Sequence, residues 1–236
     1  MACSRPRLVR ILRVSHPPSA RLLEVMAALG MGVEHVGSRV KGVALRSLAR
    51  RALMPGSVAL ISGPSGGGKS TLLRGVHARL VAGGVRVEVV EPRACGPGAG
   101  SLLDALGDDG THAARCLSAA GLADATVWVR APDELSEGER ARFAVARAWA
   151  GLTSGTRGEH AGVLLWDECA SVLDRTTARS VCVSLARLVR RGRVSVVCAT
   201  AHDDVVDWLT PDVRVWCGLG EAARVVGRTR DTEDKQ

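Results

Sequence analysis

The sequence contains no tyrosine and a single phenylalanine, Phe143, beside five tryptophans. So few aromatics leave little for stacking unpaired bases, and a single-strand nucleic-acid platform is poorly supported. The seven cysteines (positions 3, 95, 116, 169, 182, 198 and 217) are odd in number and form no Cys-x-x-Cys pair. Neither a disulfide framework nor a zinc site is indicated, and reduced, partly buried thiols of a cytoplasmic protein are expected. No apolar run is long enough to cross a bilayer, and the Arg-rich start lacks the apolar centre of a signal peptide. A protein that is soluble, or peripheral through a partner, follows from that pattern. Lysine is confined to Lys41, Lys69 and Lys235, and the single glutamine is Gln236.

The charge present is uneven. Residues 1–51 carry ten basic side chains, among them Arg5, Arg7, Arg10 and Arg13, against Glu24 and Glu34, and so match the net charge of +8. Such a segment can bind nucleic acid or an anionic surface. The solvated face of a protein rich in Arg, Ala, Val and Gly explains it equally well.

One stretch organises the chain: Gly63-Pro64-Ser65-Gly66-Gly67-Gly68-Lys69-Ser70-Thr71. An apolar run, Ser57 to Ile61, precedes it and reads as a strand; Leu72 to Leu80 follows with helical spacing. Strand, Gly-rich loop, helix is the context that a phosphate-binding loop requires. The glycines let successive N–H groups turn to one point, and the helix N-terminus adds its dipole. Lys69 then reaches the outer phosphates and the Ser70 hydroxyl ligates Mg²⁺.

A second constellation follows. Val163-Leu164-Leu165-Trp166 is a fully apolar run, as in a buried parallel strand, and ends on Asp167-Glu168. The strand delivers Asp167 to the carboxyl end of a sheet, where it can hold Mg²⁺ through water. Glu168 is placed to orient or deprotonate an attacking water.

Leu135-Ser136-Glu137-Gly138-Glu139-Arg140 opens a helix. Ser136 and Glu139 have the spacing of a capping box. The same residues resemble the Leu-Ser-Gly-Gly-Gln signature of ABC-type ATPases, in which Ser136 and the backbone at Gly138 would offer donors to a γ-phosphate. Alone, the cap is the stronger reading. Order along the chain favours the signature: P-loop, Leu-Ser-x-Gly, acidic strand end, Ser171-Val172-Leu173-Asp174, then Thr200-Ala201-His202-Asp203. That is the order of the ABC family, over about residues 40–217, with Asp174 in its D-loop and His202 as its γ-phosphate sensor. The resemblance implies ATP and Mg²⁺ as ligands, ATP hydrolysis, and two ATP held between two head-to-tail copies. A segment around Arg21 to Gly32, with Asp167 to Arg179 and Ala201 to Asp204, is similar to a stand-alone ABC ATPase group often fused to a predicted acetyltransferase domain. At 236 residues the chain would be an ATPase-only member.

Two family features are missing. The Q-loop glutamine has only Glu91 as a positional substitute, either a contact to Mg²⁺ or its water, or a surface residue before Pro92. The aromatic that stacks on adenine is also absent, since residues 31–56 hold no Phe, Tyr or Trp. The stretch from Lys69 to Ser136 is short for a transporter ATPase. These departures favour a soluble, ATP-driven dimer switch acting on a macromolecule, nucleic acid through residues 1–51 being one candidate. The ATP-binding subunit of a membrane transporter is the alternative. A third reading, a module that keeps nucleotide but has lost catalysis, is opposed by the intact Lys69, Ser70, Asp167, Glu168 and His202.

The expected architecture is α/β, of ABC-type P-loop fold, with a mostly parallel sheet, flanking antiparallel strands and a short helical subdomain. It divides into a basic extension at 1–32, an ATPase domain at 33–226 with a helical insert at about 92–150, and a polar, disordered tail at 227–236. Residues 5–14 are expected as an edge strand, Ala20 to Leu29 as a helix capped by Ser19, and 33–60 as short strands. Further strands are expected at Val85–Val90, Val163–Trp166, Val194–Ala199, Val213–Cys217 and Ala223–Val226. Helices are expected at 101–107, 111–120, Leu135–Ala150, Thr176–Arg190 and Val205–Leu209.

Overall fold

The structure is a computed structural model that describes residues 10–14, 18–29, 31–35, 41–91, 100–107, 109–154, 160–219 and 221–228. The expected tail therefore lies largely outside the described residues, as do residues 1–9 of the basic segment.

Two strands, β1 (Arg10–Val14) and β2 (Met31–His35), pair in parallel, in register from Arg10 against Met31 to Val14 against His35. They form a two-stranded sheet of their own. Between them runs α1 (Ala20–Ala28), whose N-cap Ser19 Oγ accepts from the Leu22 N–H at 3.2 Å, as its sequence implied.

The next segment corrects the expectation of short strands over 33–60. Apart from β2, it contains the helix α2 (Lys41–Ala52). Ala44, Leu48 and Ala52 are buried at intervals of one helical turn. Arg50 and Arg51 in the last turn complement the helix dipole. Among the described residues of that segment the other strand is β3 (Val58–Ser62), after the turn at Pro55-Gly56.

β3 lies inside a six-stranded sheet of order β4-β5-β6-β3-β7-β8. The other members are β4 (Val87–Val89), β5 (Gly162–Trp166), β6 (Val194–Thr200), β7 (Val213–Trp216) and β8 (Arg224–Arg228). All neighbours are parallel except β7 and β8. Every residue of β3, β5 and β6 is buried, which explains their largely apolar sequences; Ser62, Ser195 and Thr200 are the buried polar exceptions. Alternate side chains feed two cores. Leu60, Leu164 and Val196 pack with Phe143 on one side; Ile61, Leu165 and Val197 pack with Leu48 and Val76 on the other.

The remaining helices are α3 (Lys69–Ala82), α4 (Gly110–Ala119), the four-residue α5 (Ala125–Trp128), α6 (Glu137–Thr153), α7 (Arg175–Arg191) and α8 (Asp204–Leu209). The helix expected at 101–107 is only a 3₁₀ turn, Asp104–Leu106. Asp104 Oδ2 there accepts from both the N–H and the hydroxyl of Ser101, at 2.8 and 2.6 Å, and Gly107 closes the turn at φ 113°. β4 is shorter than the expected strand Val85–Val90, although the Val90 N–H still donates to the Leu165 carbonyl and the Arg86 carbonyl accepts from the Val163 N–H, each at 2.9 Å. Among the described residues no helix is long and apolar enough to cross a membrane.

One buried carboxylate holds the far end of β3. Asp212, just before β7, accepts from the Val58 N–H at 2.8 Å and from Arg190 Nη1 and Arg51 Nη2, each at 3.0 Å. Removing it takes a buried acceptor from two partly exposed guanidinium groups and from a buried backbone donor. Asp212→Ala should therefore lose about 3–5 kcal/mol of unfolding free energy in a denaturant titration.

Candidate functional site

The site grows out of the end of β3. Ser62 accepts from the Cys217 N–H at 2.8 Å, so the strand end is fixed against β7. Gly63 then turns at φ 140°, and a Cβ there would stand 2.1 Å from the Cys217 carbonyl oxygen. Only glycine fits that approach. Gly68, at φ 87°, is the N-cap of α3 and provides no side-chain cap, so the first N–H groups of this 14-residue helix face the loop. A free helix N-terminus behind a glycine turn is an anion site.

Lys69 Nζ donates to the carbonyls of Gly63 and Pro64, both at 2.8 Å. Those bonds close the loop on itself and leave the third ammonium hydrogen for a ligand. The surrounding cleft measures about 420 Å³. Its walls are Ser65, Gly66 and Gly68 to Thr71 from the loop, Glu168 and Ser171 beyond β5, and Ala201 and His202 beyond β6. The fold thus brings together three of the features read from sequence: the Lys69 loop, Glu168 and His202. Pro64 and Gly67 complete the loop.

Asp167 and Glu168 leave the carboxyl end of β5 as expected. Asp167 Oδ1 accepts from the Glu168 N–H at 3.0 Å. Glu168 itself adopts φ 49° and Ala170 φ 60°, the left-handed region that non-glycine residues seldom occupy. Such strain persists where the surroundings impose it. Here the next residue is anchored on both sides: the Cys169 N–H donates to the Ala199 carbonyl at 2.8 Å, and the Thr200 hydroxyl donates to the Cys169 carbonyl at 3.3 Å.

Beyond His202 the loop is held by ion pairs. Arg175 grips Asp204 through Nε at 2.9 Å and Nη2 at 2.5 Å, and lies 4.8 Å over the Trp208 ring. The Arg175 guanidinium holds the Asp204 carboxyl below its ordinary value. Arg214 bonds the Ser62 hydroxyl at 2.8 Å and Asp203 at 3.3 Å, linking the His loop to the strand that carries the glycines. Sequence reading gave no role to Arg175, Thr200 or Arg214, whose partners Asp204, Cys169 and Ser62 are remote in the chain.

Of the residues read as site members, Gly63, Pro64, Gly67 and Asp167 adjoin the cleft without lining it, and Ser136, Gly138, Asp174 and Glu91 do not line it either. Ser136 and Glu139 form the capping box of α6: Ser136 Oγ donates to Glu139 Oε2 at 2.7 Å, and Glu139 Oε2 also accepts from the Ser136 N–H at 2.9 Å. Ser136 holds the Glu139 carboxyl below its usual value. Gly138 lies in the first turn of α6, where an added Cβ would reach Leu173 Cδ2 at 3.7 Å. Asp174 caps α7, accepting from the N–H groups of Thr176 and Thr177 at 3.1 and 3.0 Å. Glu91 follows β4 and is exposed. The cap at Ser136 makes a stability prediction: Ser136→Ala should lower unfolding free energy by about 1 kcal/mol, read from thermal melts.

No protein-family model matches the chain. A methionine import ATP-binding protein, MetN 2 of Acinetobacter baylyi, is 34% identical over 84 residues, 36% of this chain and 22% of the relative. MetN of Helicobacter hepaticus is 40% identical over 75 residues, 32% of this chain and 19% of the relative. The matched region is thus about a fifth of these relatives' length. Among solved structures, the dimeric ATP-binding cassette MJ0796 in a post-hydrolysis state with ADP and Pi superposes with a TM-score of 0.58 at 22% identity, over 76% of this chain and 88% of that one. A bacterial Atm1-family ABC exporter with ATP bound gives 0.52 at 19%, over 72% and 34%. In fold the chain resembles these ATP-binding cassettes, with a mostly parallel sheet that carries the glycine loop, and its motifs follow one another in the order that the resemblance predicts.

Proposed function

We propose that the chain binds Mg-ATP in the Lys69 cleft, hydrolyses it between two copies of itself, and drives a membrane transporter as its ATP-binding subunit. The observation that carries the hydrolytic part is the convergence of Lys69, Ser70, Glu168 and His202 on one cleft beside a free helix N-terminus. The names of the relatives, methionine import ATP-binding proteins, support the transporter part. The dimeric cassette MJ0796 supports the pairing of copies.

The loop N–H groups and the Lys69 ammonium would take the β- and γ-phosphates. Oxygen donors suit a hard cation, and Ser70 with Asp167 would hold Mg²⁺, which neutralises phosphate charge. Glu91 is a further candidate for that role. Glu168, which lines the cleft, orients the attacking water and accepts its proton. His202 offers a donor to the γ-phosphate from the end of β6. In a head-to-tail pair, Ser136, the Gly138 backbone and Asp174 of the second copy would complete the site. The Ser136 hydroxyl hydrogen, now on Glu139, would turn to the phosphate.

A cytoplasmic dimer switch acting on nucleic acid or another macromolecule is the second reading, favoured by the absence of a Q-loop glutamine and by exposed Arg46 and Arg50 on α2. It lacks support from the relatives' names.

Glu168→Ala should cut phosphate release by about 10²-fold or more, the weight of a general base. The variant should still retain ATP and should accumulate as a dimer in light scattering. Unchanged turnover would remove Glu168 from the role of base. Co-purification from membranes with a multi-span protein is expected of a transporter subunit; a soluble dimer with full activity and no such partner would favour the second reading.

A further inference from the structure

Thr200 stands at the junction of the three catalytic segments without lining the cleft. It is the last residue of β6 and sits in register with Ser62, the residue before the glycine loop. It is 1% exposed. Its hydroxyl donates to the Cys169 carbonyl at 3.3 Å and accepts from the His202 N–H at 3.1 Å. Both capacities of one small side chain are therefore spent on the two loops that carry Glu168 and His202.

We propose that Thr200 is a positioning residue for ATP hydrolysis, setting the acid and the histidine in fixed relation to each other. This rests on the hydrolytic reading given above. Glu168 is held at φ 49° while its carboxylate is exposed, so its direction is set through the backbone that follows it. That backbone is Cys169, which is fully buried and pinned by Ala199 and Thr200, two consecutive residues of β6. The Ala199 bond is backbone to backbone and needs no particular side chain. The Thr200 bond does need one: a hydroxyl, on this residue. Through the same oxygen the first residue able to turn towards the cleft after Ala201 is tied down, and that residue is His202. Movement of one loop is thereby transmitted to the other.

Valine matches threonine in shape but has no hydroxyl. Thr200→Val would leave the Cys169 carbonyl and the His202 N–H without this partner. A misplacement on the ångström scale at reacting groups costs up to about 10²-fold in rate. The expected result for Thr200→Val is a kcat for Mg-ATP lowered about 10- to 100-fold, with KM within about twofold of the wild type. Thr200→Ser restores the hydroxyl and should keep kcat within about threefold. Thr200→Val/His202→Ala should lose less than the product of the two single losses, because the changes share the His202 arm while only Thr200→Val also disturbs the Glu168 arm. If Thr200→Val fails to fold in circular dichroism, Thr200→Ala, which removes the hydroxyl together with the methyl, carries the same expectations. A wild-type kcat in the folded variant would overturn the proposal. So would equal damage in Thr200→Ser, or fully multiplicative losses in the double variant, since those describe a packing role. A wild-type chain with no Mg-ATP turnover would instead remove the hydrolytic reading, and this inference with it.

Discussion

The close approach of Gly63 to the Cys217 carbonyl is the constraint on which the site depends. It forces the chain to turn sharply at the end of β3, at a φ available to glycine and with no room for a Cβ. The turn exists because β7 lies directly beside β3, with Cys217 bonded to Ser62. Strand order therefore sets the phosphate loop as firmly as the loop's own glycines. At the other end of β3, Asp212 fixes the same pair of strands through Val58, Arg51 and Arg190. The β3–β7 seam is clamped at both ends, and α3 starts from a rigid base.

On the opposite flank β6 plays the matching part. It pairs with β3 and with β5, so its last residues lie between the glycine loop and the acidic turn. Ala199 and Thr200 reach back to Cys169, and Thr200 reaches forward to His202. Arg214 returns the link to Ser62 through Asp203. The groups proposed to meet the phosphate thus belong to one hydrogen-bonded frame at the carboxyl ends of three adjacent parallel strands, the usual place for ligands on such sheets.

Much of this is legible in the sequence because the strands concerned are buried on both faces. Ile61, Leu165 and Val197 sit in unbroken apolar runs, each followed at once by its chemical residues, so strand and site announce one another. The stretches around Ser136 and Asp174 resemble motifs in the sequence, but their visible work within one copy is capping: Ser136 starts α6 and Asp174 starts α7. The short-strand reading of 33–60 failed at α2, where burial at Ala44, Leu48 and Ala52 follows a helical period that the many interspersed arginines obscured. Thr200, Arg214 and Asp212 were illegible for another reason. Their partners are brought near by sheet order, and nothing local in the chain encodes it.

The central claim is that the glycine loop is half of a site whose other half, at Ser136 and Gly138, comes from a second copy. Mixing two disabled chains tests it directly. Lys69→Ala removes the loop's charge, and Gly138→Asp places an acid where the γ-phosphate would approach the partner's helix. Each alone should hydrolyse ATP at background. In an equimolar mixture, a mixed pair holds one intact loop facing one intact signature, and phosphate release should rise clearly above either chain alone. A mixture no more active than its separate components would contradict a site shared between copies.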